Sequence, residues 1–191
     1  MIILQIDEMK IDLKKILSEY RYGHSLRVAG VAKELATIYQ ADENKAYIAG
    51  LVHDVAKEFT DEENIRWLEN SNMDVNLLDT KFKSVIHAEI GALVARQRYE
   101  VSEDICQAIR YHTIGNINMT LFDKIIFVAD KIEEGKDYPG IEEEREMAFK
   151  NIDQAMLLCL RNKKKKFDTK GKVLHPESLR LLEHLEKNFF E

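Results

Sequence analysis

The stretch Ala49-Gly50-Leu51-Val52-His53-Asp54-Val55-Ala56-Lys57 decides how this chain folds. Read with Ala46 upstream, its apolar and small residues recur at helical spacing and predict a helix from about residue 43, behind an Asp42 N-cap. Small side chains at 46, 49 and 50 let a neighbouring backbone approach closely. The helix carries His53 and Asp54 at its end, a neutral imidazole beside a carboxylate, which suits a divalent cation that takes nitrogen and oxygen ligands. Consecutive helical side chains diverge by about 100°. Both can therefore reach one ion only at the helix edge, with other helices closing the shell.

Outward from this segment the helical period continues almost throughout, and no two-residue alternation lasts long enough for a sheet. Ile11, Ile16, Leu17 and Tyr20 predict a first helix, which Gly23 separates from a second carrying Leu26, Val28, Val31, Leu35 and Ile38. Thr60 with Glu63 forms a capping box, so a helix using Ile65, Trp67 and Leu68 starts at Asp61. A break is expected over residues 70–79. Helices of about 83–98, 102–112, 120–134 and 141–161 follow, with Ser102 and Thr120 as caps and Tyr138-Pro139-Gly140 as a turn. The last helix starts at Pro176. With no repeat, linker or shift in composition, the expectation is an all-α, single-domain helical bundle over residues 1–191.

Composition agrees. The 191 residues include only eight glycines and two prolines, which argues against sandwiches, propellers and disordered linkers and leaves no Gly-rich phosphate loop. Hydrophobic residues make up 45%, yet no apolar run approaches the ~18 residues of a membrane span. The net charge of −6 repels a nucleic-acid backbone, so any polyanionic ligand has to be met by local positive charge. Cys106 and Cys159 make no metal-type pair, and residues 1–9 lack the basic start and apolar stretch of a signal peptide. A cytoplasmic location with no membrane and no nucleic-acid partner is expected, and exposed helix faces allow a homodimer.

Four of the six histidines, His24, His53, His87 and His112, fall near the ends of separate predicted helices. Asp130 follows five apolar residues, where a carboxylate is expensive to bury unpaired. It, with His24, is the natural complement to His53-Asp54, although pairing with Lys131 or Lys124 is the plainer reading of Asp130 alone. His175 reads as a cap for the last helix and His184 as a surface residue.

Here the chain resembles the HD-domain phosphohydrolases, whose pattern of a His, a His-Asp doublet and a distant Asp is matched by His24, His53-Asp54 and Asp130. It is more closely similar to the bacterial symmetrical bis(5'-nucleosyl)-tetraphosphatase branch. The segments that carry this are Arg21-Tyr22-Gly23-His24-Ser25, the stretch quoted first, His87-Ala88-Glu89-Ile90-Gly91-Ala92, Tyr111-His112-Thr113-Ile114-Gly115 and Ala129-Asp130-Lys131-Ile132-Glu133. Asp137-Tyr138-Pro139-Gly140 with Arg145, and Leu174-His175-Pro176, add to them. Lys136 and Ser178 depart from the branch, which has arginine and threonine there; lysine keeps the charge and loses the bidentate fork.

The resemblance implies a single HD-type hydrolase domain with its core at about 19–134, followed by C-terminal helices and a substrate-covering loop at about 135–191. It implies metal binding by His24, His53, Asp54 and Asp130, often of iron, with Mn, Co, Ni and Zn equally compatible with the donors, and one or two ions. Asp54, Lys57, His87 and His112 are the expected catalytic residues, and His87 and His112 serve either a second ion or the substrate phosphates. Arg21, His24, Lys57, His87, His112, Thr113 and Lys136 are expected along the phosphate chain. Gly171, Lys172, Val173, Leu174 and His175 are expected over the nucleotide, while the lysine run at 163–166 reads as a solvated helix end. The implied reaction is symmetrical cleavage of diadenosine tetraphosphate to two ADP. The alternatives are an HD phosphohydrolase for another nucleotide (monophosphate, deoxynucleotide or alarmone) and a non-catalytic metal-containing nucleotide sensor.

Overall fold

The computed structural model describes residues 2–71, 73–74 and 82–190, which contain ten α-helices and no strand. In chain order these are α1 (Ile2–Ile16), α2 (Glu19–Ile38), α3 (Glu43–Val52), α4 (Asp61–Asn70), α5 (Ile86–Tyr99), α6 (Glu103–Tyr111), α7 (Leu121–Ile132), α8 (Ile141–Ala148), α9 (Ile152–Asp168) and α10 (Pro176–Phe190), with a 3-10 turn at Lys83–Val85 before α5.

The centre is built on α7, where Ile125, Ile126, Phe127, Val128 and Ala129 are all fully buried. A helix apolar on every side is surrounded by others: α2, α6 and α9 pack on it, and α3 sits between α2 and α6. The α2–α3 contact depends on Gly50, as its small size predicts. A Cβ there would lie 2.8 Å from Ala29 Cα and 2.9 Å from Ala29 N, inside any tolerable contact with backbone. This approach brings the C-terminal end of α3, with His53 and Asp54, against α2.

The caps follow the sequence. Asp42 accepts from Lys45 N, and Thr60–Glu63 forms the full capping box. Thr120 forms the same box with Asp123. Ser102 stands at the N-cap of α6 but turns its hydroxyl to the Asp104 carboxylate.

Four expectations are corrected. Gly23 does not separate helices; it lies inside α2, and the break falls at Leu17–Ser18, where Ser18 accepts from Arg21 N and caps α2. The buried face of α1 uses Met9 and Leu13, whereas Ile11 is exposed; Tyr20, also exposed, belongs to α2 and not to α1. The helix expected over 141–161 is two, because the Asn151 side chain accepts from Asp153 N and Gln154 N and starts α9 afresh. In α4, Leu68 and Asn64 face inward and Ile65 is exposed. The break at residues 70–79 begins where α4 ends, and positions 72 and 75–79 of it lie outside the described residues.

Candidate metal centre

Three elements carry the metal-capable set to one point. His24 lies in the second turn of α2, His53 is the C-cap of α3 with Asp54 just beyond, and Asp130 stands near the C-terminal end of α7. His24, His53 and Asp54 are no more than 3% exposed. His24 Nε2 is 3.1 Å from Asp130 Oδ1 and 3.7 Å from Asp54 Oδ2. His53 Nε2 is 3.5 Å from Asp54 Oδ2 and 3.7 Å from Asp130 Oδ1.

Hydrogen bonds fix what these nitrogens present. His53 Nδ1 donates to Gly50 O at 2.7 Å, His87 Nδ1 to Ser84 O at 2.9 Å and His112 Nδ1 to Ile109 O at 2.6 Å. His24 Nδ1 lies 3.1 Å from Glu133 Oε1. Carbonyls and carboxylates only accept, so each Nδ1 carries the hydrogen and each Nε2 presents a lone pair. The buried Nε2 atoms of His24 and His53 have no hydrogen-bond partner, and they face carboxylate oxygens. Lone pairs directed at one another are stabilised by a cation among them. The donor set, two imidazoles and two carboxylates, therefore fits a divalent transition metal.

The electrostatics agree. Burial opposes ionisation of Asp54 and Asp130, yet both carboxyls are held well below the usual range, Asp54 by His53 and its hydrogen-bonding neighbours and Asp130 by Lys131 and His24. Burial likewise opposes a charge on His53, but Asp54 and then Asp130 outweigh it and raise its pKa above the ordinary value. The position attracts positive charge.

Asp54 has two faces. Its Oδ2 meets His24 and His53, while Oδ1 lies 3.2 Å from His87 Nε2 and 3.5 Å from His112 Nε2, which are themselves 3.3 Å apart. Burial lowers the pKa of His87 and takes that of His112 down to about 3, so both rings are neutral near pH 7. Neutral imidazoles can hold a metal or accept a proton. Thr113 Oγ1 is 2.9 Å from His112 Nε2, close enough to donate its hydroxyl.

Cations ring this acidic centre. Arg21 Nη1 is 2.5 Å from Asp54 Oδ2, and Lys131 Nζ bonds Asp130 Oδ2 at 2.6 Å and His112 O at 2.8 Å. Lys57 does not lie on a continuation of α3. α3 stops at Val52, and a run of turns, with Lys57 N bonded to Asp54 O, brings Lys57 Nζ to 3.1 Å from His87 Nε2. Burial lowers the Lys57 pKa. Lys136 Nζ stands 4.0 Å from Asp130 Oδ1. A cleft of about 470 Å³ opens beside Lys57 and His87, lined also by Phe59, Asn64, Lys83 and Ile86.

The loop before α10 is only partly as expected. Gly171 adopts φ +62° with nothing near an added Cβ, and Lys172 and Val173 are exposed. Leu174 is buried, which leaves Val173 as the outward apolar face. His175 Nδ1 accepts from Glu177 N at 3.2 Å, so it caps α10, while its ring packs edge-on to Phe82. His184 is exposed on α10, as read.

Sequence reasoning assigned no role to Glu133 or Arg27, read Lys131 correctly as a partner of Asp130 and misread Lys163. Lys163 is no part of a solvated helix end: its Nζ turns inward to Thr113 O at 2.9 Å, and burial followed by Lys131 takes its pKa down to about 8. Only Lys164, Lys165 and Lys166 of the run are exposed. A signal for Glu133 and Arg27 was present, since His24/Arg27 and Asp130/Glu133 are both one turn apart on facing helices.

Comparison with known proteins bears on this geometry. The HD domain family model matches residues 21–135. The symmetrical bis(5'-nucleosyl)-tetraphosphatase of Bacillus subtilis (strain 168) is 41% identical across 78% of this chain and 81% of its own length. Its counterpart in Halalkalibacterium halodurans is 36% identical across 87% and 89%. Among solved structures, a predicted HD superfamily hydrolase from Clostridium acetobutylicum, described as involved in NAD metabolism, superposes with a TM-score of 0.89 at 35% identity, covering 96% of this chain and 97% of that one.

Proposed function

This chain belongs to the HD-domain family, and from that premise we propose that it is a metal-dependent hydrolase cleaving diadenosine tetraphosphate symmetrically into two ADP. The observation that carries the reading is the pair of unpartnered, buried Nε2 atoms of His24 and His53 facing the Asp54 and Asp130 carboxylates, in a chain 41% identical over most of its length to a relative named for that activity. His24, His53, Asp54 and Asp130 would hold the ion, which we assign as iron, with Mn, Co, Ni and Zn also suited to these donors. When bound, such a cation acidifies water and polarises a phosphoryl oxygen.

The remaining steps belong to the protein. Arg21, Lys57 and Lys136 bind the non-bridging phosphate oxygens and place one of the two middle phosphorus atoms over Asp54. Lys57, fixed beside His87, neutralises charge that develops on the departing ADP; a diphosphate leaves as an anion and needs no proton from the protein. Thr113 donates its hydroxyl to a phosphate oxygen once substrate displaces the contact with His112. Neutral His87 and His112 present Nε2 lone pairs to the far side of Asp54, available to a second ion or to the hydrogen of an attacking water. Gly171, Lys172, Val173, Leu174 and His175 border the nucleoside, with Val173 offering it an apolar surface. These roles make residues 1–191 one hydrolase unit, to which α9 adds Lys163.

Separating the products of purified, metal-loaded protein tests the reading. ADP alone is expected, and ATP plus AMP would overturn the symmetrical assignment. Ranking kcat/KM over a nucleotide panel tests the substrate: a mononucleotide or alarmone ahead of the dinucleoside tetraphosphate would overturn it.

A further inference from the structure

We propose that Glu133 is a positioning residue that sets the tautomer of His24, and that Arg27 and Gly135 lock it in the required orientation. The proposal rests on the reading of His24 as a metal ligand and not on the identity of the nucleotide.

The Glu133 side chain is 1% exposed and divides its two oxygens between different tasks. Oε1 lies 3.1 Å from His24 Nδ1. Oε2 receives two donors, Arg27 Nε at 2.5 Å and Gly135 N at 2.7 Å. With one oxygen committed to two N–H groups beside a guanidinium, the group is a carboxylate, and its other oxygen can only accept. His24 must therefore carry its hydrogen on Nδ1 and turn an unprotonated Nε2 towards Asp130 and Asp54.

Gly135 makes the arrangement possible. A Cβ at this position would lie 2.6 Å from Arg27 Nη2, 2.9 Å from Arg27 Nε and 2.9 Å from Glu133 Oε2. A side chain at 135 would push the Arg27 guanidinium and the Glu133 carboxylate out of these positions. A second support comes from α8, where Arg145 donates to Ile132 O at 3.0 Å, to Glu133 O at 3.0 Å and to Lys136 O at 2.9 Å, holding the last carbonyls of α7 and the turn beyond. Of the four histidines at the centre, His24 alone is oriented by a side chain; the other three use carbonyls three residues back.

The isosteric substitution Glu133→Gln gives a sharp test. An amide has one acceptor. Its oxygen is drawn to the Oε2 position by two donors, and its NH2 group then faces His24 Nδ1. That reverses the tautomer, placing the hydrogen on Nε2, from which a metal has to displace it at a cost. Histidine side-chain 15N NMR of metal-free protein is expected to show Nδ1–H for His24 in the wild type and Nε2–H in Glu133→Gln. Calorimetric titration with Mn2+ is expected to show affinity lowered by about 10- to 100-fold, with an unchanged far-UV spectrum. The wild-type tautomer persisting in the variant, or Mn2+ affinity within twofold of wild type, would overturn the proposal. Glu133→Asp, which withdraws the acceptor from Nδ1 while keeping a charge beside Arg27, is the second variant, and the same affinity loss is expected. If the wild type binds no Mn2+, the metal-centre reading fails by itself, and the NMR result still decides the role of Glu133.

Discussion

Asp54 is the residue on which the site turns, because each of its oxygens faces a different pair of imidazoles. Asp54→Asn keeps the shape and replaces one acceptor by a donor aimed at Nε2 atoms. We expect turnover of diadenosine tetraphosphate to fall by at least about 1000-fold, beyond the loss from removing a single transition-state hydrogen bond, and Mn2+ binding to fall with it. Retained turnover would show that hydrolysis does not pass through this carboxylate. Lys57→Met separates binding from chemistry: with Lys57 beside His87 and outside the donor set, Mn2+ affinity should hold while kcat/KM drops about 100-fold. At this scale the sequence was most informative where polar residues interrupt apolar runs, as at His53-Asp54 and Asp130, because burying such groups without a purpose is costly. Glu133 escaped notice because its value lies in a partner 109 positions away, and a glutamate near a helix end is otherwise ordinary.

Among the elements, α3 against α2 sets the geometry of the centre. Gly50→Ala puts a Cβ 2.8 Å from the Ala29 backbone, where no side chain can give way. A loss of about 1–3 kcal/mol is expected for such overpacking, readable as a lower Tm and as weaker metal binding when the helices part. α9 contributes a pH dependence through Lys163. With its folded pKa near 8 against an ordinary 10.5, the unfolded chain holds more protons on this lysine between about pH 8 and 10.5. Its contribution to stability therefore rises with pH across that window, and the wild type should lose this gain in Lys163→Met. Affinity for a polyphosphate should move the opposite way, with KM rising in the wild type as the charge is lost above pH 8 and staying level in the variant. Boundaries were legible where capping chemistry is local, as in Thr60–Glu63 and Thr120–Asp123. They failed at Gly23, whose place inside α2 is decided by the Ser18 cap five residues earlier, and at Asn151, whose cap interrupts an otherwise continuous helical pattern. The face of α1 was misread because Ile11 is apolar without being inward and Tyr20 lies beyond the Ser18 cap, in α2.

For the whole molecule, the shortage of glycine and the charge of −6 describe one strategy. Without a Gly-rich loop, the phosphate binding proposed above rests on local side-chain charge, and Arg21, Lys57, Lys131, Lys136 and Lys163 gather around the centre against the negative average. No helix among the described residues is long and apolar enough to cross a membrane. Because the ion would join α2, α3 and α7, which form the centre of the bundle, metal binding and folding are coupled. Mn2+ at 100 times its Kd should add about 2.7 kcal/mol of stability, seen as a higher Tm that a chelator reverses; a Tm indifferent to both would show that the folded chain does not bind the ion in preference to the unfolded one. The central claim, that His24, His53, Asp54 and Asp130 together hold a catalytic cation, is tested most directly by anomalous diffraction from crystals grown with Mn2+ and ADP. The account predicts a peak bounded by His24 Nε2, His53 Nε2, Asp54 and Asp130 with a phosphate against it. A peak elsewhere, or full occupancy by ADP with no metal among these four residues, would contradict it.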